Sequence, residues 1–245
     1  IFALEYEKLS TLPAMCATAL GLAVGWGVFL ETFKKRIFAA LATKEWWNRN
    51  ATEPTKSMMC NFGYPKQPTG KFPNGVTEEM ARDFYAMLIA ICSQHFLSAL
   101  LMLPVVAYGW DGSSDTVRGL FVLGTLSDLA FDIYDSISCS IKTFTNHPNP
   151  LPLEFWVILV LMHHTTGLAL VLPMNLYHVH RQEYHQTAFS LLMAAALCYG
   201  LGCYKFALDV GKKRDFLLYK FLVLFQLCII LYTRVYLWFP AALSF

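Results

Sequence analysis

Residues 153–177 read LEFWVILVLMHHTTGLALVLPMNLY, a stretch in which Glu154 is the only Asp, Glu, Lys or Arg and two adjacent histidines, His163 and His164, interrupt the middle. About 20 helical residues, rising ~1.5 Å each, cross the ~30 Å hydrocarbon core of a bilayer. A helix that is apolar all round is either sheathed in protein or lies in lipid. The composition of the whole chain decides between the two. It is 56% hydrophobic and 15% charged, against about 25% charged in soluble domains. A water-soluble fold of this length could not cover so much apolar side chain, so the chain is expected to use lipid as part of its solvent.

Five more stretches match this one: Leu9–Leu30, Phe84–Ala107, Gly119–Ile141, Thr187–Leu208 and Phe216–Phe239. Breakers separate them, among them Gly109-Trp110-Asp111-Gly112, Asn146-His147-Pro148-Asn149-Pro150 and Gly211-Lys212-Lys213-Arg214-Asp215. The fold class expected is all-α, a polytopic membrane bundle of six transmembrane helices with a long polar loop between the first two. Residues 1–31 hold the first helix, 32–82 a basic amphipathic segment and irregular loop, 83–240 a five-helix membrane domain, and 241–245 a tail. The chain begins at Ile1 without a methionine, which leaves room for an upstream targeting segment. If successive helices alternate, fifteen of the nineteen Lys and Arg fall on one side. Lys8, Arg118, Arg181 and Arg234 are left on the other, an imbalance that points to both termini on the non-cytoplasmic side.

Within 32–82, Phe33-Lys34-Lys35-Arg36-Ile37-Phe38 through Leu41, followed by Trp46 and Trp47, alternates basic and apolar residues at helical spacing. Two readings stand: an amphipathic helix lying in the headgroup region, or the first helix running on out of the membrane. Beyond it, Pro54, Pro65, Pro68 and Pro73 predict irregular chain. Asn50-Ala51-Thr52 has the form of a glycosylation site, on the face where none would be modified.

Several function classes fall away. A net charge of +2 lacks the concentrated basic face that nucleic acid requires. There is no phosphate-cradling glycine loop, nucleotide fingerprint or serine-nucleophile elbow, and no CxxC pair among the seven cysteines, which are expected to be buried apolar residues rather than disulfides or metal ligands. No metal site is predicted, His178, His180 and His185 being read as solvated loop residues.

What remains is the polar content of the helices. Each ionisable group at mid-membrane costs about 2.5–3.5 kcal/mol on insertion scales, so each needs a partner or a task. Asp128, Asp132 and Asp135 stand at i, i+4 and i+7, one face of the third helix. Asp132 and His163 are each roughly 13–15 Å from the basic side, a common depth on sequence-adjacent helices, and an Asp132–His163 hydrogen bond is expected, fixing the tautomer and raising basicity. The alternative is structural glue between helices. His95 adds a third mid-depth imidazole. Lys205 and Asp209, at i, i+4, are expected to pair or snorkel. Arg234, with Tyr232 and Tyr236, reads as an interfacial anchor.

These residues also resemble a family. Gly124, Ser127-Asp128 and Phe131-Asp132-Ile133-Tyr134-Asp135, then a polar turn, then Glu154 leading into His163-His164, is similar to the TLC domain; the closing Phe225, Tyr232-Thr233-Arg234-Val235 and Pro240 resembles that family's last span. The resemblance covers roughly residues 80 to 240, which makes 83–240 TLC-like. It implies a lipid-handling membrane protein, of a family that includes ceramide synthases, enzymes that acylate a sphingoid base with acyl-CoA. It makes His163, His164, Asp128 and Asp132 the catalytic candidates, with Asp135, His95, Glu154 and Arg234 facing lipid or supporting them. Two departures count against a full acyltransferase: the His-Asp…Asp run of ceramide synthases is missing between Thr165 and Leu208, and Leu192-Met193-Ala194-Ala195-Ala196 is apolar where many members carry a glutamate.

Three functions are therefore expected in competition. The first binds or processes a sphingolipid or acyl lipid in a polar intramembrane cavity, as an acyltransferase-like enzyme if it turns over, with bound lipid and no other cofactor. The second is an accessory subunit of a respiratory or photosynthetic membrane complex. The third holds haem or chlorophyll between His95 and His163 or His164. The endoplasmic reticulum or an energy-converting organelle is the expected membrane.

Overall fold

Capping chemistry sets where the helices start. Thr11, Thr77 and Ser114 each turn a side-chain oxygen onto the backbone N–H three residues on, at Ala14, Met80 and Val117. Those caps open α2 (Leu12–Ala42), α4 (Glu78–Tyr108) and α5 (Asp115–Phe144). The computed structural model describes residues 5–244. Within them a short α1 (Tyr6–Leu9) precedes α2, and α3 (Thr52–Asn61) lies between α2 and α4. There follow α6 (Leu153–Trp156), α7 (Thr165–Tyr177), α8 (Gln182–Ala207), α9 (Lys213–Ile230) and α10 (Trp238–Leu243). Wide π-type turns over Val157–His164 and Leu231–Leu237 fuse α6 with α7 and α9 with α10, so each pair is one rod. The described residues form no strand, only an isolated Thr69–Phe72 bridge.

Five of these helical lengths are long and apolar enough to cross a membrane: Leu12–Ala42, Glu78–Tyr108, Leu153–Tyr177, Gln182–Ala207 and Lys213–Ala241. The chain is thus a multi-helix bundle compatible with an integral, multi-pass membrane protein. α5 is as long but carries three aspartates within about two turns.

Three boundary expectations change. The basic segment after residue 31 is no separate interfacial helix: α2 runs unbroken to Ala42, because Glu31, Lys34, Lys35 and Arg36 are good helix formers and no Gly or Pro intervenes. Lys34 in that extension is buried, 3.1 Å from Glu31 and 3.6 Å from Asp83 of α4. Part of the predicted irregular loop is helical, with Pro54 accommodated in the first turn of α3; the irregular chain is confined to residues 62–77, with Gly63 and Gly75 at positive φ. The helix also continues through Leu243, into the expected tail; Ile1–Leu4 and Phe245 lie outside the described residues.

α4 and α5 are the centre. α2 and α8 pack on them, the α6–α7 rod leans on α5, and the α9–α10 rod leans on α8. Burial follows the same order. Ala86, Ala90, Ala99 and Met102 of α4 and Phe121, Leu126 and Ala130 of α5 have no exposed surface, whereas Leu217, Phe221, Leu224 and Leu231 on the last rod are exposed. An apolar outer face of this kind suits lipid contact. Small residues permit the close approach at the centre: a Cβ on Gly124 would lie 2.8 Å from both Ser98 O and Met102 Cγ.

Polar glue joins the same helices. Trp26 Nε1 donates to Ser127 Oγ at 2.7 Å, Ser127 and Ser98 hydroxyls meet at 2.7 Å, and Gln94 Nε2 donates to Ser98 Oγ and Ser127 O. The expected Lys205–Asp209 pair does not form. α8 ends at Ala207, Asp209 leaves the helical face and lies 3.3 Å from Lys212, and Lys205 donates to Gln226 of α9.

Candidate functional site

Asp132 and Asp135, one turn apart on α5, both face His164 at the end of the wide turn between α6 and α7. His164 Nδ1 lies 2.6 Å from Asp132 Oδ1, and Nε2 lies 3.0 Å from Asp135 Oδ2. All three are buried, His164 to 1% exposure, Asp135 to 3% and Asp132 to 6%. A neutral imidazole has one N–H. Two carboxylate contacts therefore require a second proton within the triad, on the ring or on a carboxyl. Asp135 also accepts from Cys139 Sγ at 3.6 Å. Phe131 closes the triad edge-on to the His164 ring.

An Asp–His contact between these helices forms, and the partner is the neighbouring histidine. His164 takes the place predicted for His163, because the five-residue hydrogen-bond spacing of the wide turn shifts the helical phase; Thr165 Oγ1 bonds Val160 O in the same distortion. His163 turns away, accessible, into a cavity. Gly167, one turn beyond His164, makes the approach to α5 feasible: a Cβ there would collide with Asp132 Oδ2.

The cavity measures about 600 Å³ and lies between α5, the α6–α7 rod, α8 and the end of the α9–α10 rod. Its lining along α8 runs from Tyr184 to Tyr199, about 22 Å of helix. Most of the wall is apolar, including Met102, Leu170, Met174, Leu191 and Ala195. The polar lining comprises Asp128, Asp132, His163, His95, Thr125 and Arg234, among others. A volume of this order, mostly apolar with a few convergent polar groups, is the usual make-up of a small-ligand site. Asp132 is the hinge of the arrangement, bonded to His164 behind and open to the cavity in front.

Of the eight residues singled out by sequence, five line this cavity: His163, Asp128, Asp132, His95 and Arg234. His164 and Asp135 stand directly behind Asp132. Glu154 is not brought in; it is exposed in the first turn of α6, beside Gly63. His95 contacts its neighbour Gln94 and sits edge-on to Phe131 and Tyr199. Arg234, read from the sequence as an interfacial anchor, lies in the second wide turn and lines the cavity.

Sequence reading missed a second polar node. Asn175 of α7, fully buried, accepts from Tyr184 OH of α8 at 3.2 Å and donates to Thr125 Oγ1 of α5 at 2.8 Å, tying together three walls of the cavity. An amide inside Leu172-Pro173-Met174-Asn175-Leu176 was the available signal. His185 was expected to be solvated, yet it is buried, stacked on Trp110, with Nε2 donating to Val179 O at 2.6 Å. All seven cysteines are free thiols. No family model matches the chain, and neither the curated proteins nor the solved structures provide a match.

Proposed function

We propose that this chain is a six-span, TLC-like membrane protein that binds a lipid in the cavity beside the Asp132–His164–Asp135 triad. One observation carries the reading: a long, mainly apolar cavity is also lined by Asp128, Asp132, His95, His163 and Arg234, and a membrane interior retains ionisable groups for a task. α5 is then the sixth span, its aspartates turned inward, and the basic residues place both termini on the non-cytoplasmic side. The apolar wall receives the acyl or sphingoid chain and the polar residues receive the headgroup.

Chemistry is available to such a lipid. Asp132 and His163 are among the proton acceptors that face the cavity, and in this reading they serve a bound hydroxyl or amine. His164 and Asp135 do not line it. They hold Asp132 in position and supply or store the triad's proton, so in this reading they are positioning residues. An acyltransferase-like step at the headgroup would use that acceptor.

The test begins with purified full-length protein in mild detergent, analysed by native mass spectrometry. One co-purifying lipid per chain is expected, lost on Leu191→Trp, which fills the cavity. A chain free of lipid that migrates only within a large assembly on a blue-native gel would replace this reading with the accessory-subunit one, and a visible absorption band with the pigment- or haem-binding one. Unchanged lipid binding and cellular lipid profile in both His163→Ala and His164→Ala would end the catalytic version.

A further inference from the structure

Two groups of opposite charge in the cavity wall, Asp128 and Arg234, make no direct hydrogen bond or ion pair with the protein among the described residues, though each feels the other's charge. Asp128 forms no hydrogen bond or ion pair among the described residues, unlike Asp132 and Asp135 on the same helix face. Arg234 lines the same cavity from the opposite rod and likewise forms no ion pair there. Both are ionisable groups at membrane depth, where an unmatched charge is strongly disfavoured. No ion pair joins the two directly, yet they border one volume.

Building on the lipid-binding reading above, we infer that the cavity selects a zwitterionic lipid, whose anionic group meets Arg234 and whose ammonium meets Asp128. The guanidinium offers a planar fork of N–H donors that matches phosphate or carboxylate in two parallel bonds. The Asp128 carboxylate accepts N–H bonds from an ammonium. Each charge on the ligand supplies the direct contact that the fold leaves out, and no covalent bond changes. An anionic lipid leaves Asp128 unmatched and places a negative group beside two aspartates, Asp128 and Asp132. A cationic one leaves Arg234 unmatched. A neutral diacylglycerol leaves both. The apolar run from Tyr184 to Tyr199 holds the chains, so the same headgroup without chains loses most of the contact area.

The experiment titrates delipidated full-length protein with five probes under native mass spectrometry. They are phosphatidylethanolamine, phosphatidic acid, a diacyl trimethylammonium lipid, diacylglycerol of the same chains, and free phosphoethanolamine. Phosphatidylethanolamine is expected to bind about ten-fold or more tightly than each of the others. Asp128→Asn should reduce its affinity to that of phosphatidic acid, and Arg234→Gln to that of the cationic lipid. Should either variant fail to fold, the probe series on the unsubstituted protein still decides. Equal affinity for all four lipids overturns the headgroup assignment and leaves the lipid cavity standing. Phosphatidic acid bound as well as phosphatidylethanolamine removes the ammonium contact, and the cationic lipid bound as well removes the anion contact; either overturns the inference. Free phosphoethanolamine bound as well as the lipid makes the site one for a soluble headgroup. Failure of all five probes sinks the lipid-binding reading itself.

Discussion

Asp132 of α5 and His164 at the entrance to α7 share a 2.6 Å contact in the buried interior, and this contact joins the packing of the bundle to the chemistry of its cavity. Asp135 completes it from one turn away at 3.0 Å. Removing one member leaves the others charged and unsatisfied in a medium that cannot solvate them.

Replacement of His164 by Ala should therefore be the most destabilising single change in the helices. It strands two carboxylates at once, and breaking a buried pair costs about 3–5 kcal/mol. Thermal unfolding in detergent would measure it. The Asp132→Asn and His164→Ala double cycle should show a coupling of about 0.5–3 kcal/mol. Additive effects would mean that the two side chains do not interact.

Gly167 makes room for that contact. Gly167→Ala drives a methyl into Asp132 Oδ2 and forces the carboxylate off His164 or the rod off α5. The expected loss is about 1–3 kcal/mol, in the range of overpacked cores. Gly202→Ala on α8 is the control, with open space around its new methyl, and should be neutral or stabilising by about 0.4–1 kcal/mol. Equal melting temperatures for the two variants would contradict the close approach.

At the α4–α5 crossing the obstacle is backbone, which cannot swing aside. Gly124→Ala meets Ser98 O as well as Met102 Cγ. A loss of about 1–3 kcal/mol is expected, and Met102→Ala in the same chain should recover only part of it. Full recovery would show that Met102 alone limits the approach.

Asn175 ties three cavity walls, so Asn175→Leu should act on shape as much as on stability. Thr125 and Tyr184 lose their shared partner. Measured interhelical hydrogen bonds in membranes average about 0.6 kcal/mol and reach about 1.7, and the loss should fall within that span. The number of co-purifying lipids should drop further than the melting temperature predicts. A variant that binds lipid normally would remove the node from the site.

Lys34 offers a test at the basic end of the bundle. Lys34→Met leaves Asp83 and Glu31 facing each other across α2 and α4. Because Glu31 is 39% exposed, solvent screens the loss to about 1 kcal/mol, and raising the salt should narrow the gap between variant and parent.

Composition and the spacing of apolar runs were enough to read helices of bilayer length from the chain, because a backbone in lipid must satisfy its own hydrogen bonds and has few other options. The 3.6-residue period also placed Asp128, Asp132 and Asp135 on one face. Rotation about the rod axis was beyond that reasoning. Two wide turns, Val157–His164 and Leu231–Leu237, arise where packing against α5 and α8 outweighs the ideal helical repeat. They turn His164 rather than His163 onto Asp132, and Arg234 into the cavity. Local propensity dictated which residues are helical; only the packed bundle decided which face each one shows.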